Sequence, residues 1–266
     1  MKRLTPSGKI LLTALAMFLA RYPVAWLLAV LIPESLGTSG SYMRVILREM
    51  LTYLLPAILW MRHGHEPRKR TRWPLAVVVL ITGLAAQYVF SALNESWMTR
   101  TGFQSSSMPL PQSLTEGILG VLAMVIVPAV AEECFFRGAL QGTLQREHHA
   151  VSALIAASCT FAFMHGSLAG LPAHLGFGLL LGICYAGTES LTLCMLLHGA
   201  YNAAAVWWSY TPVTASARFL IPCAAALLIF AVCLMRNIRR GGQSWSAGEN
   251  LLMGVLLACE LMPYFL

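Results

Sequence analysis

Nine apolar stretches, each near the length of a membrane span, run through the sequence at roughly 10–32, 42–61, 74–93, 115–136, 150–165, 171–187, 190–208, 215–235 and 249–266. A helix needs about 20 largely apolar residues to cross the hydrocarbon core. Lipid offers the backbone no hydrogen-bond partner, so each stretch is read as a helix that closes its own ladder. The expected fold is therefore all-α: a polytopic transmembrane helical bundle of about eight to nine spans. The seventh stretch and the last, which carries Glu249 and Glu260, are the weakest of the nine. Lys2 and Arg3 precede the first as in a signal peptide, but the apolar run is too long for a signal core and reads as a signal anchor.

Composition supports the same class. Hydrophobic residues make up 58% of the chain and charged residues 11%, against about 25% charged in an ordinary globular chain. A soluble enzyme, a disordered chain and a fibrous protein are excluded on that ground. With neither a repeat nor a soluble segment in view, residues 1–266 are read as a single integral-membrane domain.

The net charge of +7 resides largely between spans. Lys2, Arg3 and Lys9 precede the first; Arg62, Arg68, Lys69, Arg70 and Arg72 separate the second from the third. Arg146 follows the fourth, and Arg236, Arg239 and Arg240 follow the eighth, whereas the alternate loops hold only Arg100. The positive-inside rule then sets the amino terminus in the cytoplasm and suggests a multi-pass protein of a plasma membrane, bacterial in type. The Ser/Pro-rich stretch from Gln104 to Ser113 becomes an external loop. The bilayer is the expected environment of the basic clusters, and nucleic acid is not an expected partner. The seven cysteines lie scattered in apolar stretches with no Cys-x-x-Cys pair, as small buried hydrophobes. All 11 acidic residues are glutamates. The absence of aspartate removes paired-aspartate intramembrane proteolysis and Asp-rich prenyl-transfer sites.

Ionisable residues at depth are costly, at least about 2.5–3.5 kcal/mol each on insertion scales. Three groups stand out: Glu132-Glu133 with Arg137 on the fourth span, Phe161 with His165 on the fifth, and His198 with Asn202 on the seventh. Glu133 and Arg137 stand four apart in the favourable order for a helical ion pair, which leaves Glu132 about 100° round the helix. His198 and Asn202 share a face, and Phe161 lies one turn from His165. Counted along ideal helices from the nearest turns, Glu132, His165, His198 and Asn202 fall about 21, 22, 14 and 20 Å deep, a similar level. A histidine beside a buried carboxylate can hold it ready to take a proton from water. A second imidazole with a carboxamide can donate hydrogen bonds to a tetrahedral oxyanion. Such a set suits amide hydrolysis at a site open to the cytoplasm. Glu132, His165 and His198 could instead ligate zinc with an open fourth position.

Glu-Glu-x-x-x-Arg, Phe-x-x-x-His and His-x-x-x-Asn, in this order and on separate spans, resemble the CAAX prenyl protease and bacteriocin-processing family (CPBP, or Abi), whose eukaryotic relatives are the type II CAAX prenyl endopeptidases. The resemblance covers roughly residues 115–205, the catalytic motif core. It implies an intramembrane endopeptidase acting on a membrane-associated peptide or protein. By motif position Glu132 and His165 would activate water, His198 and Asn202 would stabilise the oxyanion, and Glu133 and Arg137, with Phe161 beside the site, would support them. The family is usually filed with metalloproteases, although the same residues suffice for a metal-free glutamate mechanism. Non-enzymatic alternatives are a membrane immunity or interaction protein and a proton-coupled transporter. His174 is expected to be structural, and His63, His65, His148 and His149 to be solvated in basic loops. Gly37-Thr38-Ser39-Gly40 matches a rhomboid-type Gly-x-Ser-Gly, but is expected in a short external loop without a histidine partner.

Overall fold

The computed structural model describes residues 4–62, 73–104, 108–211, 216–238 and 241–261. His63, His65, Arg68 to Arg72, Arg239 and Arg240, which entered the charge argument, lie outside them, as do Lys2 and Arg3. The described residues form nine helical segments and no strand, apart from an isolated bridge between His148 and Gln243. In chain order α1 is Pro6–Leu31. After a 3-10 turn at Glu34–Leu36 comes α2, which runs Gly37–Glu49, Met50–Leu54 and Leu55–Met61. Then follow α3 (Trp73–Thr101), α4 (Leu114–Glu147), α5 (Ala150–Met164), α6 (Leu171–Thr188), α7 (Leu191–Tyr210), α8 (Ala217–Met235) and α9 (Ala247–Leu261).

Local chemistry explains the breaks in this pattern. α1 opens on Thr5, whose hydroxyl accepts the Gly8 amide at 3.0 Å, with Pro6 in the first turn. In α2 and α4 a π-helical turn, Met50–Leu54 or Leu122–Ile126, comes immediately before a proline-containing segment. Pro56 and Pro128 cannot donate to the carbonyl one turn back, and the wider π register absorbs the missing bond. In α4 a second π stretch, Cys134–Gln141, follows, so Glu132 and Glu133 end a short α-helical segment, Val127–Glu133, between two π stretches. α5 has only 15 residues, about 22 Å of helix, short of the roughly 30 Å hydrocarbon core.

Five described segments are long and apolar enough to cross a membrane: Pro6–Leu31, Pro74–Thr101, Leu114–Glu147, Leu171–Thr188 and Ala217–Met235. They make this an integral membrane protein. α2, α5, α7 and α9 complete the bundle outside that standard. Arg44, Arg48 and Glu49 lower the hydropathy of α2, and His198 and Asn202 that of α7.

Small residues let the helices approach. α3 packs along α7 and α8, and α5 along α6. A Cβ on Gly83 of α3 would stand 2.6 Å from the Leu197 carbonyl of α7, and one on Gly187 of α6 would stand 2.8 Å from the Leu234 carbonyl of α8. Such backbone contacts are the usual substitute for a hydrophobic driving force between helices in lipid.

Three local expectations need correction. Gly37-Thr38-Ser39-Gly40 is no loop: Gly37 adopts a φ of +56° and restarts the helix, so Ser39 lies in the first turn of α2 with its hydroxyl 3.5 Å from Glu116. His148 is not solvated. It is 3% exposed and stacks on Trp245 with ring centroids 4.5 Å apart, whereas its neighbour His149 is exposed. Among the cysteines, Cys134, Cys184 and Cys194 are buried, but Cys233 lies exposed on α8.

The close α3–α7 approach is testable. Gly83→Val is expected to destabilise the detergent-solubilised protein by about 1–3 kcal/mol through overpacking, read as a lower midpoint of thermal unfolding, while Gly117→Ala, which meets nothing within 4 Å, leaves it unchanged.

Candidate active site

Glu133 is fully buried and bridges Arg137 and His198. One carboxylate oxygen lies 3.4 Å from Arg137 Nε and the other 2.9 Å from His198 Nδ1. The first contact is the helical pair expected from spacing; the second ties α4 to α7 and was not anticipated. Arg137, itself 0% exposed, also donates from a terminal nitrogen to the Gly178 carbonyl at 3.0 Å and covers the Phe161 ring at 4.7 Å. One turn on, Gln141 donates to the Gly182 carbonyl at 2.9 Å. Two successive polar side chains of α4 thus grip two successive carbonyls of α6, and a Cβ on Gly178 would press to 3.0 Å from Phe161.

Glu132 points elsewhere, into a cavity of about 340 Å³. His165 caps the C-terminus of α5, where Gly166 turns the chain at a φ of +64°. Its Nδ1 lies 2.7 Å from the Phe161 carbonyl, which can only accept, so that nitrogen carries the proton. Nε2 is thereby turned toward Glu132, 3.8 Å from its Oε2. Phe161 flanks the imidazole at a centroid distance of 4.7 Å. His174, expected to be structural, stacks on His165 at 4.0 Å.

The cavity is completed by residues that the sequence reading passed over. Arg21 and Tyr22 from α1, with Arg48, Glu49 and Tyr53 from α2, line it together with Glu132 and His165. Arg21 donates to the Met164 carbonyl at 2.7 Å, satisfying an acceptor left open where α5 ends. Arg48 pairs with Glu49 at 3.2 Å. The signal was present: these are ionisable residues well inside apolar stretches, the same criterion that singled out Glu132.

His198 and Asn202 do not line this cavity. His198 is 3% exposed and lies edge-on to Phe161 at 6.0 Å and Phe177 at 5.2 Å. Asn202 is half-buried and, among the described residues, makes no side-chain hydrogen bond. The structure therefore joins Glu132 to His165, and Glu133 to Arg137 and His198, while Asn202 stands apart. Both histidines have Nδ1 engaged and Nε2 free, a pattern shared by metal-bound histidines. Among the described residues, however, the only group in which three His, Cys or Glu donors come within 4.8 Å of one another is elsewhere, at Glu147, His148 and Glu249. The Glu132, His165 and His198 donors are spread too widely, as placed, to share one ion.

Removing Arg137 would leave a buried carboxylate short of its cation. Arg137→Met is expected to cost about 3–5 kcal/mol of stability, and the double variant Glu133→Gln/Arg137→Met less than the sum of the two singles; a double-mutant cycle by thermal or denaturant unfolding measures the coupling.

Comparison with curated proteins and with solved structures gave no match. Residues 114–204 match the family of type II CAAX prenyl endopeptidase Rce1-like proteins. This segment runs from the start of α4 to the middle of α7 and carries the Glu-Glu-x-x-x-Arg, Phe-x-x-x-His and His-x-x-x-Asn motifs. Over this segment, about a third of its length, the chain is similar to that endopeptidase family.

Proposed function

We propose that the protein is an intramembrane endopeptidase that hydrolyses a peptide bond of a membrane-associated substrate by metal-free glutamate chemistry, with Glu132 and His165 activating the water. The observation that carries this reading is the opposition of Glu132 Oε2 and His165 Nε2 at 3.8 Å on the wall of a 340 Å³ cavity. That separation is too long for a direct hydrogen bond, but a water about 2.8 Å from each atom completes a triangle between them. Glu132 then removes a proton as the water oxygen attacks the carbonyl carbon, and returns it to the leaving nitrogen as the C–N bond breaks. His165, fixed by its bond to the Phe161 carbonyl, orients the water.

His198 and Asn202 are assigned to the oxyanion. Neither lines the open cavity, so this assignment requires the scissile carbonyl to reach inward, past Phe161 toward α7. Glu133 holds the His198 ring through Nδ1 and leaves Nε2 for the substrate. We further propose that the amino terminus is cytoplasmic and the site open to that side, in keeping with the basic loops.

The test is cleavage of prenylated and unprenylated membrane peptides by purified protein. Glu132→Ala and His165→Ala are each expected to lower kcat by about 10²–10⁴-fold with normal folding, as for loss of a general base. Because loss of a catalytic metal costs several kcal/mol of transition-state stabilisation, dialysis against a chelator at low temperature is expected to leave the rate within about twofold. Equal cleavage by wild type and both variants overturns the mechanism; absence of any cleavage by wild type favours the binding or transport alternatives.

A further inference from the structure

A second polar centre lies away from the cavity, at the end of the bundle where α1 and α9 begin and α4 ends. It brings together Glu147, the last residue of α4, His148 after it, and Glu249 in the first turn of α9, with one donor atom from each within 4.8 Å of the others. His148 is 3% exposed and Glu249 5%. His148 Nδ1 lies 3.4 Å from the Gln243 carbonyl, which can only accept, so in the neutral ring Nε2 bears a lone pair. That lone pair faces Glu249 Oε1 at 3.4 Å without forming a hydrogen bond. Two acceptors, both buried, thus confront each other beside a second carboxylate.

We propose that Glu147, His148 and Glu249 form a binding site for a divalent metal ion, zinc by donor type. Four donors about 2.0–2.1 Å from zinc in a tetrahedron stand about 3.3–3.4 Å apart, which is the His148–Glu249 separation. Two carboxylates and a neutral imidazole give a charge-balanced site for a dication, with the fourth position for water. The outer contacts match those of metal ligands. The far nitrogen of His148 is held by a backbone carbonyl. The Ser7 amide (3.0 Å) and hydroxyl donate to Glu147 Oε2. Thr5 donates to Glu249 Oε1 at 2.8 Å, and the Ser246 amide and hydroxyl donate to its Oε2 at 2.9 and 2.7 Å. Trp245, stacked on His148, is itself anchored to Ser152 at 3.0 Å. The ion would join the end of α4 and the α4–α5 turn to the start of α9, and through the Ser7 and Thr5 hydrogen bonds to the start of α1.

The test is independent of peptidase activity. Chelator-stripped protein is titrated with zinc and with cobalt, and bound metal per chain, the cobalt absorption spectrum and the thermal midpoint are measured. Wild type is expected to take up about one equivalent with a rise in midpoint; Glu132→Gln/His165→Gln is expected to do the same, and His148→Gln and Glu249→Gln to lose both uptake and rise. The cobalt spectrum of wild type, with nitrogen-and-oxygen ligand bands, needs no variant and guards against misfolding. Failure of wild type to bind, or undiminished binding by both His148→Gln and Glu249→Gln, overturns the site. Loss of binding only in Glu132→Gln/His165→Gln overturns it too, by moving the metal to the cavity.

Discussion

The buried carboxylate of Glu133 sets the terms for the helices around it. A charge at this depth persists only if it is paired and hydrogen-bonded, and its two partners lie on different elements: Arg137 one turn along α4 and His198 on α7. Arg137 in turn needs acceptors, and takes the Gly178 carbonyl of α6, which Ser158 of α5 also reaches at 2.9 Å. One neutralised charge therefore fixes α4, α5, α6 and α7 against one another. The close approach of α6 that makes this possible depends on Gly178 and Gly182, where side chains would collide with Phe161, Leu154 and Ser158.

A second constraint is the shortness of α5. A helix that stops within the bundle leaves carbonyls without partners, which is tolerated only where protein or water supplies them. Arg21 supplies one through its bond to Met164. The early end also puts His165 at a helix terminus, where its ring can turn back to the Phe161 carbonyl and outward to Glu132. The arginine that satisfies the broken helix and the histidine that the break exposes belong to the same cavity wall.

Much of this was legible in the sequence because its signals are local. Hydropathy marks the spans, and i,i+4 spacing marks Glu133 with Arg137 and Phe161 with His165. What was not legible depends on tertiary contact. No spacing rule links Glu133 to His198, 65 residues away, and none foretells that α1 and α2 bring Arg21, Arg48 and Glu49 to the same cavity. His148 was misread for the same reason: its neighbours in sequence are polar, and only the return of the chain at Gln243 and Trp245 buries it.

In the proposed mechanism, pairing also separates structural charge from reactive charge. Glu133 is paired to Arg137 and bonded to His198, and Glu49 is paired to Arg48. Among the described residues the ion-pair contact of Glu132 is with His165 at 3.8 Å, and its Oε2 is buried without a hydrogen bond. Isolation alone does not make a catalytic group, since Glu260 on α9 is also buried and, among the described residues, has both oxygens unpartnered and no ion pair. The difference is access: Glu132 opens onto a space large enough for water and a peptide group, and Glu260 does not line it. In the proposed mechanism a carboxylate that meets such a cavity exchanges a proton with the water that enters, whereas a paired one holds its neighbours in place.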